Sequence, residues 1–143
     1  MSRSGYSYDY EGFNLWQAIV TRSLKSKRGQ KALQDILTAL DAMPEKKLIT
    51  NSFACSDGLC TLGVLAHHRG VDVQDLEPEY CHEWGSDPVD RDRASERFDI
   101  SGAMVAEIMH ENDEGSFQPE TDEQRWSRMR KWVARQLESA NGG

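Results

Sequence analysis

Thiol and imidazole side chains crowd one part of this sequence and are the first candidates for chemistry. Six of them fall within 28 positions: Cys55, Cys60, His67, His68, Cys81 and His82. Structural zinc sites use close ligand pairs such as Cys-x-x-Cys, so that two thiolates leave one turn at tetrahedral angles. The gaps here do not form such a pair, and two adjacent histidines on a helix point about 100° apart. The pattern therefore predicts neither a metal site nor a cofactor.

Nucleophilic catalysis has no better support. The sequence has no G-x-S-x-G elbow and no glycine-rich loop that opens a helix to hold phosphate. Cys81 and His82 are adjacent, but adjacency in sequence does not orient a base toward a thiol. No catalytic residue is predicted, and the sequence favours a non-enzymatic role. A small metal-dependent protein or enzyme that uses the Cys/His set stays open as an alternative.

A second group of oxygen ligands lies near residue 110. It comprises Glu107, Glu111, Asn112, Asp113 and Glu114. The spacing lacks the alternating ligands and the twelfth-position glutamate of a calcium loop. We interpret this tract as the solvated, fraying end of a helix, with Asn112 as a candidate C-cap.

Charge is distributed unevenly along the chain. Residues 51–120 hold 16 of the 24 acidic side chains and four arginines, a balance of −12, whereas residues 1–50 carry +3 and residues 121–143 carry +2. A pI near 5.1 weighs against direct nucleic-acid binding, which depends on Lys and Arg displacing counterions. Such an excess is most often solvated surface, but it can also attract a basic protein partner or imitate a phosphate track.

The candidate docking surface lies in the least regular part of the chain, residues 71–98. Aromatic anchors among carboxylates would complement a basic partner. The predicted partner-binding residues are Asp75, Glu77, Glu79, Tyr80, Glu83, Trp84, Asp87, Asp90 and Asp92.

The positions of apolar residues predict the helices that must hold this surface. One helix carries Phe13, Trp16, Ile19, Val20 and Leu24 on a single stripe, and a second carries Ala32, Leu33, Ile36, Leu37, Leu40 and Met43. The basic run 25–29 should link them, and Pro44 should end the second helix. Two amphipathic helices joined by a short link predict a helical hairpin.

Capping, turn and glycine residues predict the remaining elements. A short strand or hairpin is expected near residues 47–60, and a helix from Leu59 to Arg69, with Asp57 as a possible cap. Gly63 inside that helix indicates close approach of a neighbouring element, and Gly70 is typical of a left-handed terminator. Ser101 should cap a further helix, and Thr121 with Gln124 forms a capping box for the last. Trp126, Met129, Val133 and Leu137 should be buried on that last helix.

Together these patterns predict a mainly α, single-domain bundle of four to five helices with a possible short β-hairpin. The expected organisation is an irregular N-terminal arm over 1–12, one helical domain over 13–140 and a loose tail over 141–143. No apolar run approaches a membrane span, and the opening residues lack the apolar core of a signal peptide. An odd number of cysteines without a disulfide-scaffold spacing favours reduced thiols and a cytoplasmic location.

Several blocks of the sequence resemble a known group. They are MSRSGYS at the start, KRGQ at 27–30, ALDAMPEKKLI at 39–49, NDEG at 112–115 and ETDEQRWSRMRKWV at 120–133. This combination is similar to small proteins encoded by tailed bacteriophages and prophages of proteobacteria, a group without an assigned reaction or cofactor. The resemblance implies a phage accessory protein that acts in the bacterial cytoplasm. Our leading functional hypothesis is that it serves host takeover or anti-defence by binding a host or phage protein. A virion or scaffold component is the other open alternative.

Overall fold

The computed structural model describes residues 3–4, 13–55, 58–77 and 89–141. This part of the chain is mainly α-helical and contains one two-stranded antiparallel sheet. Its elements are α1 (Phe13–Lys25), α2 (Lys27–Ala42), β1 (Ala54–Cys55), β2 (Gly58–Leu59), α3 (Thr61–Arg69), a 3₁₀ helix (Gln74–Leu76), α4 (Arg91–Phe98), α5 (Gly102–Glu114) and α6 (Asp122–Asn141). The predicted fold class is confirmed, with one helix more than expected. None of the described helices has the length and apolar character that a membrane span requires.

The junction of α1 and α2 is tighter than predicted. Ser26 alone separates the helices, and its hydroxyl accepts the Gly29 amide at 3.0 Å. The predicted link 25–29 is therefore wrong, because residues 27–29 form the first turn of α2. A side chain at Gly29 would collide with the Ser23 carbonyl oxygen, since its Cβ would lie 2.0 Å away. Before Pro44, α2 ends at Ala42 as predicted.

The core lies where α2 packs against α3 and α6 and where α5 closes over α3. Its fully buried side chains include Leu33, Ile36, Leu40, Phe53, Leu65, Met104, Ile108, Met129 and Val133. Burying each large apolar side chain contributes about 1.5–3 kcal/mol. The apolar stripe predicted on α1 is only partly buried, since Ile19 is 42% exposed.

The hairpin and α3 confirm the glycine predictions and correct one boundary. Leu59 belongs to β2, so α3 begins two residues later than predicted, and its N-cap is Cys60, whose sulfur accepts the Gly63 amide at 3.4 Å. The alternative cap, Asp57, lies outside the described residues. A Cβ on Gly63 would lie 1.8 Å from the Phe53 carbonyl oxygen, which confirms the close approach. Gly70 ends the helix with a left-handed φ of 67°.

The caps of the last two helices are also confirmed. The Ser101 hydroxyl accepts the Met104 amide at 3.0 Å. Thr121 and Gln124 form the reciprocal box: the Thr121 hydroxyl accepts the Gln124 amide at 3.1 Å, and the Gln124 side chain accepts the Thr121 amide at 2.8 Å. These two bonds satisfy backbone donors that the helix leaves unpaired. On α6, Met129 and Val133 are buried as expected, and Trp132 is buried with them. Trp126 and Leu137, also predicted to be buried, are only partly buried.

Both predicted chain ends fall mostly outside the described residues. Within the expected arm 1–12, the structure describes Arg3 and Ser4, and both are buried. At the other end α6 extends to Asn141.

Candidate functional site

Four of the predicted partner-binding residues belong to the described part of the chain. Asp75 lies in the 3₁₀ helix and Glu77 follows it, whereas Asp90 caps α4 and Asp92 lies in its first turn. The other five, Glu79, Tyr80, Glu83, Trp84 and Asp87, lie outside the described residues. We refer to the segments 72–77 and 90–96 together as the acidic face.

Two arginines of α4 join the halves of the acidic face. Arg97 donates two hydrogen bonds to Asp75, Nη1 to Oδ1 at 2.8 Å and Nη2 to Oδ2 at 3.0 Å, and Arg93 also donates to Asp75. The hydrogen bond from Arg97 is the main cause that lowers the pKa of Asp75 to about 2, and the charges of Arg97 and Arg93 add to it. Asp75 therefore holds the two segments together, and much of its charge is balanced within the protein.

The lowered pKa predicts a pH-dependent link within the acidic face. The folded Asp75 carboxyl has a pKa of about 2, below its ordinary value of 3.8, so the pairing favours the folded state above pH 3.8. This contribution is lost as the pH falls through about 2. An NMR titration of the Asp75 carboxyl carbon measures this pKa. R97Q should raise it toward the ordinary value, whereas R22Q, at an exposed position of α1, should leave it unchanged. An ordinary pKa in the unmodified protein would contradict the pairing.

Glu77 serves the backbone of the hairpin. Its Oε1 accepts the Ala54 amide at 2.7 Å, and its Oε2 accepts the Ser52 hydroxyl at 2.7 Å and the Phe53 amide at 3.2 Å. Backbone donors at a strand edge need partners, and the carboxylate supplies one without a further strand. Glu77 is therefore a positioning residue that fastens segment 72–77 to β1.

Asp90 has an equally local role. Its Oδ1 accepts the amides of Asp92 at 3.1 Å and Arg93 at 3.2 Å, as an N-cap does. Asp92 and Glu96 are exposed and lie four residues apart, so they share one side of α4. These two carboxylates form the outward part of the acidic face, and Glu96 was not among the predicted residues.

The four arginines of the acidic region divide between two uses. Arg93 and Arg97 bind Asp75, whereas Arg69 pairs with Asp35 at 2.8 Å. The Arg91 guanidinium lies 5.0 Å from the centre of the Trp16 ring and donates to the Ser4 carbonyl at 2.9 Å. Arg93 and Arg97 therefore pair with a carboxylate of the acidic face, whereas Arg69 and Arg91 bind groups outside it.

A groove of about 390 Å³ opens beside segment 72–77. Its apolar lining comes from the hairpin, α3 and the start of the acidic face: Ala54, Leu59, Ala66, Val71 and Val73. The groove is also lined by two carboxylates, Asp72 and Glu77, and by Cys55, His67 and Gln74. An apolar lining with carboxylates suits a Lys or Arg side chain, which buries its stem and keeps its charged end near an anion.

The structure brings one thiol and one imidazole to the groove and places the other described ones elsewhere. Cys60 is buried as the cap of α3, whereas Cys55 is half-buried in the groove, which His67 also lines. His68 is exposed, and Cys81 and His82 lie outside the described residues. Among the described residues, no three His, Cys, Asp or Glu side chains are grouped so that they could hold a metal ion.

A buried ion pair that was not predicted links the N-terminal segment to α5. Arg3 is 1% exposed and binds Asp113 through two bonds, Nε to Oδ2 at 2.6 Å and Nη2 to Oδ1 at 2.9 Å. Its guanidinium lies 5.3 Å from the centre of the Phe53 ring. The Arg3 carbonyl also accepts the Val89 amide at 3.1 Å, which ties the segment before α4 to α5.

The tract 107–114 is not the fraying end of a helix that we expected. α5 continues to Glu114 with its C-cap at Gly115, and Asn112 is fully buried within it. The Asn112 Oδ1 accepts the Thr61 amide at 3.1 Å and hydroxyl at 2.8 Å, and its Nδ2 donates to the Ile49 carbonyl at 2.9 Å. Burial is also the main cause that raises the pKa of Glu111, which faces Arg128.

Comparison with known proteins does not identify a relative. The chain matches no protein-family model, no curated protein and no solved structure. What the protein does must therefore be inferred from its own residues and their arrangement.

Proposed function

We propose that this protein is a non-enzymatic, phage-type accessory protein that acts in the bacterial cytoplasm by binding a basic segment of a host or phage protein. One observation carries the proposal: a groove with an apolar lining and two carboxylates, Asp72 and Glu77, is lined by a segment that Arg93 and Arg97 tie to α4 through Asp75. On α4 the carboxylates of Asp92 and Glu96 are exposed. The groove volume of about 390 Å³ lies within the range of binding pockets in proteins.

The contacts divide the carboxylates of the acidic face into two groups. Asp75, Glu77 and Asp90 are occupied by internal hydrogen bonds and give the face its shape. Asp92 and Glu96 extend outward, and the balance of −12 over residues 51–120 attracts a basic partner over a distance. Proteins that handle nucleic acids carry such basic segments, which makes them the partner class that this face suits best.

A double charge reversal on α4 tests the proposal. The probe is a short fluorescein-labelled peptide of Lys, Arg and Leu, and its affinity is measured by fluorescence anisotropy at several salt concentrations. D92K/E96K should weaken binding about tenfold or more and flatten the salt dependence, because both charges are exposed and face the partner. The control E45K/E138K makes the same change in net charge at two exposed positions outside the acidic face and should bind nearly as the unmodified protein does.

The same assay separates this proposal from the thiol-dependent alternative, which the presence of Cys55 and His67 in one groove favours. C55S should leave peptide binding unchanged if the groove only docks a partner. Equal loss in D92K/E96K and E45K/E138K would reduce the effect to net charge and reject the acidic face. Alkylation of Cys55 far faster than that of a free thiol would instead favour an enzyme.

A further inference from the structure

One side of α1 carries large apolar side chains that the fold leaves exposed. Trp16, Val20 and Leu24 face the core, whereas Leu15 is 69% exposed and Ile19 is 42% exposed. At about 100° per residue, Arg22 falls on the same side as these two residues. Ala18 and Lys25, both exposed, lie beside them. We call Leu15, Ala18, Ile19, Arg22 and Lys25 the α1 stripe.

Charge distinguishes the α1 stripe from the acidic face. Residues 12–34 contain five Lys and Arg side chains and no Asp or Glu, in a chain with a net charge of −7. Arg28 contacts Asp99 at 3.2 Å, but the two side chains are 61% and 73% exposed. Such an exposed pair is weak and well screened, so it offsets little of the positive charge of residues 12–34.

We propose that the α1 stripe binds an acidic, amphipathic helix of a partner protein. Two apolar residues one turn apart match the spacing of anchors on a packed helix, and the following Arg22 and Lys25 match carboxylates that flank such anchors. The proposal goes beyond the acidic face, since the partner carries the opposite charge. The protein would then contact acidic and basic partners through separate surfaces.

Charge and shape select this occupant over others. A second copy of the chain would bring the same cations against Arg22 and Lys25, and like charges repel. Nucleic acid would use the cations but has no comparable use for Leu15 and Ile19. Phe117 is also fully exposed, but a single exposed ring is ordinary in folded proteins, whereas neighbouring apolar residues on one helix side form a patch.

Variants on two sides of α1 test the proposal. The probe is a synthetic helical peptide with Leu along one side and Glu on the others, and a matched peptide with Lys in place of Glu serves as its control. L15E/I19E and R22E/K25E should each weaken binding of the acidic peptide by about tenfold or more. Q17E/T21E adds the same negative charge as L15E/I19E at exposed positions outside the stripe, and its affinity should stay within about threefold of the unmodified protein. The affinity of the Lys peptide, measured separately, should not fall in L15E/I19E, because this peptide matches the acidic face and not the stripe.

The remaining outcomes overturn the proposal. Unchanged binding by L15E/I19E, or equal loss in Q17E/T21E, rejects the stripe. Binding to anionic vesicles that L15E/I19E abolishes, without binding of the peptide, assigns the stripe to a membrane surface. A dimer in light scattering that L15E/I19E dissociates assigns it to a second copy. Circular dichroism should show all three variants folded, because the substituted side chains are exposed.

Discussion

Replacing Arg3 by methionine is expected to lower the free energy of unfolding by about 3–5 kcal/mol, the range for breaking one half of a buried ion pair. The loss arises mainly from Asp113, whose carboxylate would stay buried without the two hydrogen bonds that Arg3 donates. The change would also remove the cation above the Phe53 ring. Urea denaturation followed by circular dichroism measures the effect, with the slope checked for an unchanged unfolding transition.

Partner variants separate the ion pair from a loss of packing. R3M/D113N removes both charges and keeps the Oδ1 that accepts the Asn51 amide, so it should recover part of the stability lost in R3M, because no unpaired charge stays buried. R3K keeps the charge but loses the two-pronged contact, so it should fall between R3M and the unmodified protein. A loss below about 1 kcal/mol in R3M would show that Arg3 does not hold this position in solution.

The features that the sequence predicted are those whose causes are local. Thr121 and Gln124 are three residues apart, and Ser101 caps an amide three residues later, so each motif contains its own partner. Gly70 is also readable locally, because the left-handed end of a helix favours glycine. The helix at Leu59 was misplaced because an apolar residue next to a helix and one inside it have the same pattern.

The buried pair Arg3–Asp113 and the roles of the carboxylates depend on residues that are far apart in the sequence. Arg3 and Asp113 are 110 positions apart, and Asn112 meets Thr61 across 51 positions, so no periodicity relates them. From composition alone, Glu77 looks like a solvated surface charge, although its carboxylate accepts a backbone amide of the hairpin. The net charge of a segment therefore locates an acidic region, but which carboxylates face outward depends on the tertiary contacts.

Replacing Gly63 by alanine is expected to cost more than about 3 kcal/mol, beyond the usual range for overpacking. The added Cβ would lie 1.8 Å from the Phe53 carbonyl oxygen and 2.8 Å from its carbon, and both are backbone atoms that cannot rotate away. The Phe53 oxygen also accepts the Cys60 amide at 3.1 Å, so displacing it disturbs the cap of α3. Thermal and urea unfolding measure the loss.

A second glycine, Gly70, provides the control. For Gly63→Ala itself, helix propensity alone predicts a gain in stability, not a loss. Alanine in a helix is favoured over glycine by about 1 kcal/mol, so Gly63→Ala would be stabilising if α3 were free of its neighbour. Gly70→Ala meets no described atom within 4 Å but must adopt a φ of 67°, which costs about 1–2 kcal/mol. A larger loss at Gly63 than at Gly70 therefore measures contact with Phe53, and a gain in stability at Gly63 would place the Phe53 carbonyl away from α3. Since Gly63 also lines the groove, the same variant should weaken binding of the basic peptide even where it stays folded.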